Sequence, residues 1–345
     1  MAAGYTTSLL ANAQVILPQI LEMSEFKHEP YKLINLMRSR GEKMIPPKKL
    51  NEVLTSDSRT VDTFVFALRS ITAGSARTHD HTLAAFGDTQ KVTLSFSIVT
   101  ANYGVSLKMG GRNIMNQADM LAHDLRSALI TMDNGIEAAM AAYLSTNKTQ
   151  HNAAEGGHQR FGEWDGTGYR WIIPASQENW IFQYIQEIMS INDYDVALDI
   201  VTDNVGNALA AQLAAQGTGN ATNMGWQFDD MNIVKSRRVN DSEYAATFYV
   251  MPAGTVGLLN RIPSENRGGG WSGKDYEYSN MADELGSGLI NAVHYYETGA
   301  DNSSTGGETQ DVTFEYENST DYAMLKAPLS DGATYTPIFK FVLDN

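Results

Sequence analysis

Residues 91–107 read KVTLSFSIVTANYGVSL, and their pattern decides how the rest of the chain is parsed. Val92, Leu94, Phe96 and Ile98 alternate with Thr93, Ser95 and Ser97, the period of two that puts one set of side chains on each face of a strand. The phase then flips, and Ala101, Tyr103, Val105 and Leu107 become the apolar positions. A slip of one residue exchanges the two faces, so a bulge or bend is predicted near residues 99–101. Upstream, VDTFVFAL at 61–68 has the β-branched and aromatic make-up of a partner strand. About twenty residues rich in Gly, Ser, Thr, His and Asp separate the two, so the pair reads as a long hairpin. At about 3.3 Å per residue such a ribbon reaches roughly 25–50 Å. Two strands alone are marginal in water, so the ribbon should rest on its own core or on a neighbouring chain.

The stretch after the hairpin changes period. Leu121, Leu125, Ala128, Leu129, Met132, Ile136, Ala139, Met140, Tyr143 and Leu144 recur at spacings of three and four, which predicts a helix over 116–146. Asn116 or Asp119 can cap its start, and Gly135 is its weak point. At 1.5 Å per residue it is about 42 Å long, with one apolar face. Leu121, Leu125 and Met132 are expected to serve the chain's own core.

Working outward, residues 15–21 read VILPQIL, a short apolar segment in which Pro18 should interrupt a helix. Residues 30–40 predict a short helix with Leu33, Leu36 and Met37 on one face, stopped by Gly41. Pro46, Pro47, Lys48 and Lys49 suggest an extended basic link. Residues 147–170 read as a polar, Gly-rich loop. Beyond Pro174 an α/β unit is expected: a helix over 177–191, a strand over 196–202, a helix capped by Asp203 or Asn204 and closed by Gly217, and strands near 231–236 and 244–251. Residues 267–273 and 299–307 read as loops, and strand-like pieces follow at 312–317 and 335–343.

Composition narrows the function. With 345 residues, 43% of them apolar, the chain can build a large core, which excludes wholesale disorder. It has no cysteine, which removes disulfides, thiolate metal sites and a Cys nucleophile together. The first basic residue is Lys27, so no secretory signal is expected, and no apolar run approaches a membrane span. The net charge of −15 is uneven: residues 1–112 hold 13 Lys/Arg against 9 Asp/Glu, and residues 113–345 hold 12 against 31. Such acidity argues against tight nucleic-acid binding. The asymmetry lets the first third meet acidic surface on a sister chain, though a solvated acidic domain beside a neutral one explains it as simply.

The order of these segments, with texture such as Val201-Thr-Asp-Asn-Val-Gly-Asn-Ala-Leu, resembles the major capsid proteins of tailed double-stranded DNA bacteriophages, the Hong Kong 97-type shell fold. The resemblance covers nearly the whole chain and contains no short diagnostic motif. It implies an α+β fold with an N-terminal arm (1–45), an extended hairpin loop with its flanks (46–115, tip about 71–90), a peripheral domain with its long spine helix and following loop (116–174), an axial domain (175–300) and returning peripheral strands (301–345). It implies many copies assembling as hexamers and pentamers of an icosahedral shell, built in the host cytoplasm and ending in the virion around DNA that is held without sequence-specific contacts. It also implies a portal, a separate scaffolding protein and room for a cement protein as partners, and no membrane. Some members crosslink through a Lys near the extended loop; here residues 70–90 contain none, so no such crosslink is expected. Others carry about a hundred extra N-terminal residues, which this chain has no room for, so either the scaffold is a separate protein or the sequence is already the mature one; Met1 favours the separate scaffold. The candidate intersubunit contacts are Val15, Ile16 and Leu17 on the arm, Val92, Leu94, Phe96 and Ile98 on the hairpin, and Arg59, Arg69 and Arg77 as its cations. An encapsulin compartment has the same kind of shell and is the alternative within this class.

Other chemistry is thin. His79-Asp80-His81 is the best metal-like cluster, but no third ligand stands out, so a polar loop tip is the simpler reading and a metal-dependent enzyme the outside one. His151 and His158 lack a zinc-protease spacing, residues 268–273 lack phosphate-loop spacing, and no Gly-x-Ser-x-Gly occurs. No catalytic, cofactor or metal site is therefore assigned. Trp164, Tyr169 and Trp171 could stack on sugars, which motivates a carbohydrate-binding or adhesion protein as the alternative of a different class.

Overall fold

The computed structural model describes residues 11–19, 31–56, 58–66, 89–106, 117–152, 162–217, 230–261, 276–282, 287–298, 311–326 and 335–345. The architecture is α+β, organised around one long helix, a five-stranded sheet, a six-stranded sheet and a two-stranded hairpin.

The first described segment is a helix over residues 11–19 (α1) that runs through Pro18. Pro18 has no N–H to donate, so the helix forfeits one hydrogen bond there. Ala13 and Leu17, one turn apart, are fully buried in the main core, and that burial offsets the loss. Helix α2, Lys32–Met44, likewise passes through Gly41. A Cβ at Gly41 would sit 2.5 Å from the Leu258 carbonyl oxygen, so the glycine serves close helix–strand packing and does not stop the helix. The Pro46–Lys49 link is also helical: α3 spans Pro47–Thr55, with Pro47 in the first turn, where no N–H is needed.

Strands β1, Thr60–Phe66, and β2, Thr89–Ser95, pair antiparallel as the hairpin stem; residues 67–88, with Arg69, Arg77, His79 and His81, lie outside the described residues. β3, Ser97–Ser106, continues the chain but pairs with a different partner, so the break falls at Phe96 and not at 99–101. Helix α4, Gln117–Thr146, is the long helix. Its Leu121, Leu125, Leu129, Met132, Ile136, Met140 and Leu144 enter the main core with Leu33, Ile34 and Met37 of α2.

The six-stranded sheet has the order β4-β5-β13-β8-β6-β7: β4 is Glu163–Asp165, β5 Arg170–Ile173, β6 Leu198–Thr202, β7 Met231–Lys235, β8 Ala246–Pro252 and β13 Phe339–Leu343. Helices α5, Ile181–Ile191, and α6, Asn204–Gly217, pack on one face, where Phe182, Ile185, Ile188 and Leu213 meet Ile200, Phe248, Val250 and Phe341. The α6 cap is Asp203: its Oδ1 accepts from the Gly206 N–H (2.7 Å), and its Oδ2 ties the cap to β8 through the Thr247 N–H (2.9 Å). On the other face Val201, Tyr249 and Met251 belong to the main core. Two side-chain pairs bind the units there. Arg40 of α2 grips Asp199 of β6 through two bonds (2.9 and 2.8 Å), and Ser236 Oγ donates to the Glu137 carboxylate of α4 (2.7 Å). Burial pushes the Glu137 carboxyl up, against the Ser236 bond and the charges of Arg238 and Arg237.

The five-stranded sheet runs β10-β11-β12-β3, with β9 also on β12: β9 is Val256–Arg261, β10 Tyr276–Ala282, β11 Ile290–Thr298 and β12 Asp311–Met324. β12 is long enough to pair with β11 over 311–317 and with β9 over 319–324. Three sequence expectations change here. Strands β9, β10 and β11 join this sheet and not the α/β unit of 175–300. β4 lies inside the stretch expected to be loop. Of the two C-terminal pieces, β12 returns to the five-stranded sheet, whereas β13 enters the six-stranded one between β5 and β8. All five β13 residues are buried, as an inner strand covered on both faces requires.

Candidate functional site

The hairpin stem is covered by its own chain on one face. Its register pairs Val61 with Leu94 and Thr63 with Val92 on the inner face, and Asp62 with Thr93 and Phe64 with Lys91 on the outer face. Inside, Leu94, Phe96, Val53 of α3, Ile45, Leu259, Ala323 and Leu325 form a third, small core, with Val61 and Val92 packed against it. Outside, the Lys91 ammonium lies 2.7 Å from Asp62 Oδ2, and Thr93 Oγ1 donates to Asp62 Oδ1 (2.7 Å). The bonds from Lys91 and Thr93 hold the Asp62 carboxyl below its ordinary range. Phe64 stands beside this polar group, 53% exposed.

Two charged side chains grip the base of the stem by its backbone. Arg261, at the end of β9, donates from Nη1 to the Ser56 carbonyl (3.1 Å) and from Nη2 to the Ser58 carbonyl (2.6 Å), and its guanidinium lies 4.0 Å from the Phe96 ring centroid. Asp321 of β12 accepts from the Ser95 N–H, the last residue before the break. The Phe96 N–H turns instead to the Arg59 carbonyl (2.9 Å). Burial raises the Asp321 carboxyl to about 6, only partly countered by the bonds from the Ser95 and Tyr322 N–H groups.

These positions sort the candidate residues. Leu17, Leu94 and Phe96 are enclosed by the chain itself and have no surface to offer a neighbour. Ile16 and Val92 are half-buried against the main and the small core respectively. Val15 (67% exposed), Ile98 (37%) and Arg59 face outward; Arg69 and Arg77 fall outside the described residues. Phe64 was missed, because the parity of VDTFVF is set by its cross-strand partners: Thr63 is the buried one. The sugar-stacking reading loses its platform: Trp171 is buried in the α/β core, and Trp164 packs against that core with its ring 6.1 Å from that of Trp171. Among the described residues no three His, Asp or Glu side chains are grouped to hold a metal, and no helix is long and apolar enough to cross a membrane.

No protein-family model and no curated protein matches the chain. It is similar to many solved structures, among them three from phages. The capsid of Ralstonia phage GP4 is 10% identical, with a TM-score of 0.48 over 92% of each chain. A structure from Mycobacterium phage Che8 is 9% identical, with a TM-score of 0.47 over 86% of this chain and 89% of that one. The capsid of cyanophage P-SCSP1u is 11% identical, with a TM-score of 0.44 over 84% of each.

Proposed function

We propose that the chain is a shell-forming structural protein, a phage major capsid protein whose copies join as hexamers and pentamers around packaged double-stranded DNA. The reading extends to this chain what is said of the Ralstonia phage and cyanophage structures, that they are capsids. The observation that carries it is the hairpin stem: a two-stranded ribbon whose Leu94 joins a core of only seven buried residues among those described, presenting Phe64 outward beside an ordered polar group. A ribbon so lightly supported gains most from a neighbouring copy. Val15 on α1 and Ile98 beyond the break are further outward apolar positions, and Arg59 is a cation available for acidic surface on that copy. In this reading the mechanism is burial of stem and arm surface between copies, with a portal and a separate scaffolding protein as partners in the host cytoplasm.

Deleting residues 71–90 tests the reading. The variant is expected to fold, because it keeps β1, residues 91–95 of β2 and every described residue of the three cores, and to fail to form stable shells. Normal shells from it would overturn the proposal. Native particles should absorb ultraviolet light as nucleic acid does; a protein-like spectrum would favour a compartment that encloses no DNA.

A further inference from the structure

The hairpin leaves the body of the molecule at one backbone break, and two side chains of opposite charge converge on it. Arg261 and Asp321 lie on adjacent strands: Arg261 pairs with Ser319, and Asp321 with Leu259, so the two sit diagonally on one face of the sheet. That face also provides Leu259 and Ala323 to the small core under the stem. Arg261 holds the approach to β1 by two carbonyls, and Asp321 holds the end of β2 by one N–H. Both grips are to backbone, so they constrain the path of the chain whatever side chains the stem carries.

We propose that Arg261 and Asp321 are positioning residues, a two-point latch that fixes the direction in which the hairpin projects from the five-stranded sheet. The inference deepens the assembly reading, in which hairpin direction decides which neighbour is met; the latch itself is a property of the single chain and is tested there.

The Asp321 grip responds to acid. Its carboxyl titrates at about 6 when latched, against an ordinary value of 3.8 when released into water. The latched form therefore takes up the proton, and latching is strongest below about pH 4. As the pH rises from 3.8 to 6, release becomes more favourable by about 100-fold in all, and it is flat above that. The groups around Asp321 do not blur this. Tyr322 beside it and Tyr143 of α4 are pushed above their ordinary values, chiefly by burial, and stay neutral. Arg261 keeps its charge throughout. On α3, Lys49 and Glu52 pair with each other (2.7 Å), and the Arg59 side chain is exposed.

The chain has no cysteine, so two introduced ones can be spin-labelled specifically. Labels at F64C on the stem and A138C on α4, in the dispersed full chain, report hairpin direction as a distance distribution. The expected result is one narrow distance at pH 4 and a second, broader population at pH 7. D321N should give the narrow distance at both pH values, and R261Q a broad one at both. D321S gives the same reading if D321N does not fold. A native distribution that is the same at pH 4 and pH 7, or a D321N variant that keeps the native pH response, overturns the latch. Failure of the 71–90 deletion to impair shells overturns the assembly reading and leaves the latch standing.

Discussion

The six-stranded sheet and the hairpin stem use strands of similar length, five residues in β13 and seven in each stem strand, yet they are stabilised in opposite ways. β13 is an inner strand, buried from end to end: Phe339, Phe341 and Leu343 enter the core under α5 and α6, and on the other face Lys340 bonds Asp241 (2.7 Å). The stem strands have one neighbour each and one covered face. The first arrangement is complete within one copy of the chain. The second leaves an outer face that only solvent or another molecule can meet. The comparison teaches that these parts should respond differently to the same kind of damage.

The largest effect is expected from F248A. Phe248 is fully buried and packs edge-on against Phe182, with ring centroids 5.9 Å apart, so its loss should cost about 3–5 kcal/mol and lower the denaturant midpoint of the whole chain. R40A comes next. It strands the buried Asp199 carboxylate, to which only the weaker contacts from Asn232 (3.2 Å) and the Gly254 N–H (3.4 Å) would remain. Arg40 is itself partly exposed, which sets the expected cost at the low end for a broken buried pair, about 3 kcal/mol, again across the whole chain. L94A removes a comparable apolar volume from the small core and should cost about 2–3 kcal/mol locally. Hydrogen exchange should quicken in β1 and β2 while β8 and β13 keep their protection; an equal loss in both would erase the contrast. G135A should do least: nothing lies within 4 Å of a Cβ there, so a thermal melt should show stabilisation of about 0.5–1 kcal/mol.

The sequence shows local order better than it shows partners. The long helix was legible to its last residue, Thr146, because seven large apolar side chains recur at helical spacing and all of them are buried. The hairpin was legible from its alternation. The phase flip was visible too, but its place was not: the break falls at Phe96 because Arg59 and Asp321, 37 residues upstream and 225 downstream, take the N–H groups of Phe96 and Ser95. Gly41 looked like a stop signal, since nothing local shows the Leu258 carbonyl it must approach. The placement of β13 beside β5, in parallel, depends on topology that no window of sequence contains. Among the candidate contact residues the alternation identified the stem's inner face, and that face proved to be the one its own chain covers. Phe64 sits on the other.

The most direct test of the assembly claim is the mass of the purified full-length chain in solution, measured by sedimentation and checked by electron microscopy. The account predicts closed particles or ring-shaped capsomers many times the 37.9 kDa of one copy. A stable species of 37.9 kDa under all conditions, with the stem as protected from exchange as β13, would contradict it.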